Sequence, residues 1–523
     1  MKYRCLIGAF MSAVMFSASC GVYVSAQENG AAPIVIEHGR TAEEVTVMHK
    51  ELVHSGFEAK TTQYEAAPLL TAPYFAGSLK KEAYTDALNA LKMTRFLAGV
   101  PYKNVSFTDE YNNIAQHGAV LLAASDQFTH FPGKPMDMSE EFYDIGKKGC
   151  SSSNISAGRN NVSGAVLGFV YDAGQNNIAS AGHRRWALQP ENLNFGVGFA
   201  KGNGSYGGYR IAMYTAGNVY ERDTYDGYVA WPSDGDFPLQ YLYGDSRIKS
   251  AITCPWTINL GREYAVPQKK NTVVKLVRKS DGKVWIFDKS VPNLANEKMT
   301  DDKMHFNVES TGVGMMKAIV FRPDVASLGA IADGESFSVE VKGIRYADGS
   351  DAVISYDINF FDLEKKKREL DSYYESGGMK ALIPEFPVTM NGVTIDNEDL
   401  EYPFILYNNI TYFPMTYFDS RFLGIGTSYT PEEGLGVFRL DVCGEYNGEL
   451  RSCSNVPYYK VMKAEGKITV NGKDVDNSSE EYPLLLFRDV TYFPMTWRFC
   501  VDEFGWSYHF DFDNGLVIDT AVR

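Results

Sequence analysis

Thiol chemistry is the first chemistry the residue types allow. Seven cysteines occur in 523 residues, at positions 5, 20, 150, 254, 443, 453 and 500. No two are spaced Cys-x-x-Cys, so neither a zinc ribbon nor a thioredoxin-like redox pair is indicated. Cys443 and Cys453 flank the polar, glycine-containing stretch 444–448, and a disulfide across that turn is the expected use of the pair, with two buried thiols as the alternative. Ser153 is a poor nucleophile candidate, because nothing in the sequence pairs it with a base. His117 lies mid-helix beside Gly118 and reads as a packing or surface residue.

The compartment follows from the N-terminus. Lys2 and Arg4 precede an apolar run over 6–18, and Val24-Ser25-Ala26 gives a small-residue exit before Gln27. This is the pattern of a secretory signal over 1–26, and it predicts an extracellular or cell-surface protein. Anchoring by lipidation of Cys20 is the alternative, although Ser17-Ala18-Ser19 lacks the leucine usual before such a cysteine. No later segment approaches the ~18 uninterrupted apolar residues of a membrane helix, so no transmembrane segment is expected in the mature chain. The formal charge of −15 becomes −17 once Lys2 and Arg4 leave with the signal. Such an acidic chain lacks the basic footprint of a general nucleic-acid binder.

At ~150 residues per domain, the length allows about three domains. Residues 81–218 read as mixed α/β. Tyr84, Leu88, Leu91 and Phe96 recur near helical spacing over 81–97. Thr108-Asp109-Glu110 opens a second helix that runs to Ser125, 163–171 is a third, and 194–200 and 209–214 are strands joined by Gly202-Asn203-Gly204. Residues 219–366 change to short alternating runs over 273–277, 283–287, 318–321, 337–341 and 354–360. Ser280-Asp281-Gly282 and Ala347-Asp348-Gly349 mark turns, and together these features give a β-sandwich pattern. Residues 27–80 form an N-terminal extension, and the charged 367–387 a linker, with a short helix over its start as the other reading.

The strongest regularity is an internal repeat, 388–467 and 468–523, with a period of 80. Asn391-Gly392 matches Asn471-Gly472, Asp396-Asn397 matches Asp476-Asn477, and Glu401-Tyr402-Pro403 matches Glu481-Tyr482-Pro483. Thr411-Tyr412-Phe413-Pro414-Met415-Thr416 recurs in full at 491–496. The matched positions are turn, apolar and aromatic residues, so a duplicated packing unit accounts for them. The functional alternative is an aromatic shelf for a glycan made of Tyr412, Tyr492 and Trp497.

Three stretches of 81–218 together resemble the bacterial secreted form of the CAP superfamily, the cysteine-rich secretory, antigen 5 and pathogenesis-related 1 proteins. They are Asp86-Ala87-Leu88-Asn89-Ala90-Leu91 with Arg95-Phe96-Leu97-Ala98-Gly99-Val100-Pro101, then Phe128-Thr129-His130-Phe131-Pro132, then Tyr171-Asp172-Ala173-Gly174 with Gly182-His183-Arg184-Arg185-Trp186. The C-terminal repeats look like the copper amine oxidase N-terminal-like domain, a small exported module. That region holds one histidine, His509, so no copper is expected. The fold class implied is α+β and multidomain: a CAP α-β-α sandwich, a β-sandwich, then a duplicated small, strand-rich α/β module.

The resemblance also implies a cleft with two histidines and two acids. His130 and His183 match the histidines and Asp172 the later acid. The earlier acid, which precedes an asparagine in the family, is replaced by Ser153 ahead of Asn154. His130, Asp172 and His183 could still hold a divalent ion such as zinc, calcium or magnesium, with water completing its shell. The same groups could instead bind a polar ligand through hydrogen bonds. Asp172 has competing partners in Arg184, Arg185 and the turn at Gly174. The leading expectation is a non-catalytic surface or secreted protein that needs no cofactor and whose partner is a cell-wall glycan, a lipid or a surface protein. A metal-assisted, peptidase-like hydrolase and a structural envelope protein are the alternatives.

Overall fold

The computed structural model describes residues 34–53, 63–173, 177–215, 224–243, 254–294, 302–310, 312–395, 397–446, 453–511 and 513–520. The signal segment with Cys5 and Cys20, Gly174, and the Asn447-Gly448 turn lie outside the described residues.

Six helices precede or belong to the first α/β layer: α1 (Ala42–Leu52), α2 (Lys81–Leu97), α3 (Asp109–Ser125), α4 (Glu140–Ser151), α5 (Val162–Tyr171) and α6 (Gly182–Ala187). Four start on side-chain caps that satisfy an otherwise unpaired N–H, α1 on Thr41, which accepts from Glu44 N at 3.2 Å. Thr108 accepts from Tyr111 N at 3.2 Å, Ser139 from Phe142 N at 3.3 Å and Asn161 from Gly164 N at 2.6 Å. Strands Asn194–Lys201, Tyr209–Tyr214 and Ser153–Ala157 form an antiparallel ladder, and Ser106–Phe107 joins it in parallel. Strand alternation divides the side chains between two helical layers. Phe195, Val197, Phe199, Ile211 and Met213 share a core with α2 and α5. Ala212, Tyr214 and Ile155 pack instead with Ile114, Ala115 and Leu121 of α3. Gly196 and Gly198 face α3, where an added Cβ would collide with the backbone of Tyr111 and Ala115. Glycine at these two positions is what lets α3 lie flat on the sheet.

Two further sheets face each other. One runs Val284–Phe287, Val273–Arg278, Ser336–Arg345, Asp351–Phe361, Gly235–Pro238. The other runs His305–Glu309, Ala318–Arg322, Trp256–Leu260, Tyr228–Trp231. Trp256 bridges them, its ring centroid 5.8 Å from Phe337 and 6.2 Å from Phe360. Gly282 and Gly349 adopt φ of 69° and 90° in the two turns marked by Asp-Gly, a region glycine enters without Cβ strain.

The stretch expected as a linker begins inside a helix, Leu363–Glu375, capped by Asp362 and burying Leu363 and Leu370. Beyond it the two repeats exchange strands. The hairpin at the start of the first repeat pairs in parallel with Gly515–Thr520 of the second. Gly434–Arg439 of the first pairs in parallel with Ile468–Val470 of the second. Between these edges, Ile410–Pro414 and Val490–Pro494 lie antiparallel, with Phe413 opposite Phe493. Tyr412 and Tyr492 are fully buried, whereas Trp497 is 66% exposed, so the aromatic shelf expected of these three does not form. Cys443 and Cys453 make no disulfide. Cys443 Sγ lies 3.2 Å from Thr520 Oγ1, at the end of a strand, while Cys453 N donates to Asp399 O at 2.8 Å, in a 3-10 turn, which ties the two to different parts of the module.

The N-terminal extension joins all three parts. Ala42 N donates to Asp236 at 2.8 Å, Glu37 accepts from Ser454 N at 3.2 Å and Oγ at 2.6 Å, and Glu44 pairs with Arg488 at 3.2 Å. His305 joins the α/β layer to the sandwich. Its Nδ1 accepts from Leu294 N at 3.1 Å, and its Nε2 donates to Ala179 O at 3.3 Å. Both nitrogens are committed to a neutral ring, and burial lowers its pKa from 6.5 to about 4. Above pH 6.5 the folded and unfolded states are both neutral there. As pH falls towards 4 only the unfolded chain takes the proton, so stability is lost over that window by on the order of 3 kcal/mol. Denaturation across pH 7 to 4 is expected to show this decline, and His305→Gln is expected to flatten it by close to one bound proton.

Candidate functional site

Helix α6 is only six residues long, and consecutive side chains leave it in different directions. Arg184 points into the interior, fully buried. Its guanidinium donates to Val170 O at 2.6 Å, Tyr171 O at 2.9 Å, Pro255 O at 2.6 Å and Thr257 Oγ1 at 3.2 Å. Arg185, also fully buried, donates to Met315 O at 2.7 Å and Met316 O at 3.3 Å, and lies 3.5 Å from Glu309. Arg95 of α2 closes the far end of α6, donating to Ala187 O at 3.0 Å and Gln189 O at 2.9 Å.

His183, between Gly182 and these arginines, turns outward into a cleft of about 370 Å³. His130, Ser153 and Asn154 line the same cleft, so four of the five residues expected there meet. Asp172 does not line it. It ends α5 in the left-handed region, φ 53°, with its carboxylate buried behind His183. Oδ1 lies 3.0 Å from His183 Nδ1, and Oδ2 accepts from Arg184 N at 3.2 Å. The carboxylate therefore holds the His183 proton on Nδ1 and leaves Nε2 as an acceptor. The Asn177 amide lies 3.1 Å from the same Nδ1, and Asn154 Nδ2 donates to His183 O at 2.9 Å. His130 sits on the exposed connection after α3. Its Nδ1 is 2.8 Å from Cys150 O, a contact only a protonated nitrogen can make, so its Nε2 is an acceptor as well.

Ser153, at the head of its strand, is 5% exposed, and its Oγ is buried with no hydrogen-bond partner. The metal triad His130, Asp172 and His183 is not assembled, because Asp172 is spent behind one of the other two. Among the described residues no three His, Cys, Asp or Glu side chains group as a metal site. His117 is remote from the cleft: its Nδ1 meets Asn113 O at 2.8 Å and its ring packs on Phe142 at 4.5 Å.

Sequence reasoning missed Asn177, Trp186, Phe131 and Val313, all of which line the cleft. Phe131 and Trp186 lie within the stretches that carry the resemblance, beside His130 and at the end of the Gly-His-Arg-Arg-Trp run. Val313 had no sequence signal. It arrives on the loop 312–316, whose Gly314 is so close to α6 that a Cβ would strike the Arg185 backbone.

Residues 85–216 match the CAP family, the cysteine-rich secretory protein family. The α/β layer described above is thus a CAP domain, and its cleft is walled on one side by the sandwich that follows. No curated protein gives a match to the chain.

The two tautomers are directly measurable. Long-range nitrogen–proton NMR of histidine-labelled protein at pH 8 is expected to show His183 and His130 protonated on Nδ1. Asp172→Ala is expected to release His183 to the Nε2–H form while leaving His130 unchanged.

Proposed function

We propose that the protein is an exported, non-catalytic binding protein whose CAP cleft takes a polar ligand and whose C-terminal repeats hold or space it at the cell surface. One observation carries this reading. The cleft gathers hydrogen-bonding groups on His130, Ser153, Asn177 and His183. Ser153 Oγ has no partner, so no base activates it as a nucleophile. The Asp172 carboxylate is engaged by His183 and Arg184, so metal-assisted hydrolysis through His130, Asp172 and His183 lacks its anionic ligand. What remains is a set of oriented acceptors and donors on rigid elements, which is the make-up of a recognition site.

The chain from residue 27 is expected to bind cell-envelope material in equilibrium pull-downs against sacculi, lipid vesicles and surface-protein extract. The double variant His130→Ala, His183→Ala is expected to weaken that binding about thirtyfold with an unchanged circular dichroism spectrum, each lost hydrogen bond being worth ~1 kcal/mol. Absence of binding to all three materials overturns the reading. For export, N-terminal sequencing of protein recovered from the medium or cell surface is expected to begin at Gln27. Unprocessed protein confined to the cytoplasm overturns that part.

A further inference from the structure

We propose that the ligand of the CAP cleft is an uncharged saccharide; this rests on the binding reading above and names the ligand class for the same site. The argument begins with charge. Charged residues make up 22% of the chain and give it a net −15, yet among the described residues no Asp, Glu, Lys or Arg lines the cleft. An ionic ligand would lose its hydration on entry and meet no opposite full charge.

Hydrogen-bonding capacity comes next. Ser153 lines the cleft, is 5% exposed, and its buried hydroxyl has no protein partner. A buried hydroxyl left unpaired costs ~1–3 kcal/mol, which a ligand hydroxyl removes by donating or accepting. The imidazole Nε2 atoms of His183 and His130 add two acceptors, since their Nδ1 protons go to Asp172 and Cys150 O. A polyol supplies both donors and acceptors, and so matches a hydroxyl set between two acceptors.

The third observation is aromatic. Phe131 and Trp186 both line the cleft, the first 75% exposed and the second half-buried. A large aromatic face held in water is unfavourable, and a pyranose ring covers such a face with its own C–H bonds while its hydroxyls project sideways. Among the described residues the apolar lining consists of Phe131, Trp186 and Val313, too few to enclose an acyl chain or a sterol. A volume of about 370 Å³ leaves room for one or two sugar rings.

The test is calorimetric titration and saturation-transfer NMR of the full mature chain with four probes. Chitotriose and maltotriose are the neutral saccharides, tri-galacturonate the anionic one, and phosphatidylcholine vesicles the lipid. At least one neutral trisaccharide is expected to saturate one site per chain. Phe131→Ala, on an exposed loop, is expected to weaken it fivefold or more, and Ser153→Ala about three- to tenfold. Binding of neutral saccharide that neither substitution changes overturns the proposal, because the site then lies elsewhere. Binding of only tri-galacturonate or vesicles, lost in His183→Ala, also overturns it while leaving a functional binding cleft in place. If no probe and no envelope fraction binds, the cleft reading itself falls.

Discussion

A guanidinium taken out of water must satisfy its donors or destabilise the fold by several kcal/mol. Arg184 meets that constraint only when three pieces of chain are held together. It needs the carbonyls that end α5, the carbonyl of Pro255 and the hydroxyl of Thr257, which opens into the sandwich. Helix α6 is thereby fixed in position and rotation. Once it is fixed, His183 must face outward and Arg185 must face the loop at 315–316, which carries Val313 to the cleft wall. The cleft is therefore a product of the seam between CAP domain and sandwich, with α6 as the part they share.

Asp172 shows how the same constraint redistributes chemistry. A carboxylate at the end of α5 could have pointed into the cleft. Instead the left-handed turn there brings it beneath α6, where it takes the Arg184 N–H and the His183 Nδ1 proton together. Its negative charge lies next to the buried Arg184 and is hidden from a ligand. Among the described residues the lining of the site carries only uncharged side chains and orienting imidazoles. The cleft is thus polar without being charged, in a protein that is acidic elsewhere.

Much of this was legible in residues and spacing. The Thr108 cap, the Asp-Gly turns and the Asn-Gly turns of the repeats each specify a local geometry through one or two side chains, and each appears where expected. His130 and His183 were legible as a pair because their flanking stretches are distinctive. The failures share a cause, which is that they depend on what a residue meets across the fold. Spacing put Cys443 and Cys453 on one turn, but Cys443 lies against Thr520 of the second repeat while the Cys453 backbone bonds Asp399 within the first. Charge left 363–374 open between a linker and a short helix, and what decides for the helix is the burial of Leu363 and Leu370 against the fold. Val313 is selected by a close backbone approach at Gly314, which no local pattern announces.

The repeats extend this point to their own asymmetry. Asn397 and Asn477 do the same work in each copy, bonding both the N–H and the carbonyl of Phe404 and of Leu484. That explains why they match without any appeal to a ligand. The copies part company at the next turn, Asn408-Asn409 in one and Arg488-Asp489 in the other, although all four residues adopt positive φ. Asparagine tolerates that region and arginine does so less readily, so a gain elsewhere must offset the strain at Arg488. Its guanidinium stacks 4.9 Å over Tyr459, donates to the Tyr459 hydroxyl at 2.9 Å and pairs with Glu44 of α1 at 3.2 Å. The second repeat has thus departed from the first at the turn that seats the N-terminal helix. Because that helix also holds Asp236 of the sandwich, the divergence follows from joining a symmetric module to an asymmetric neighbour.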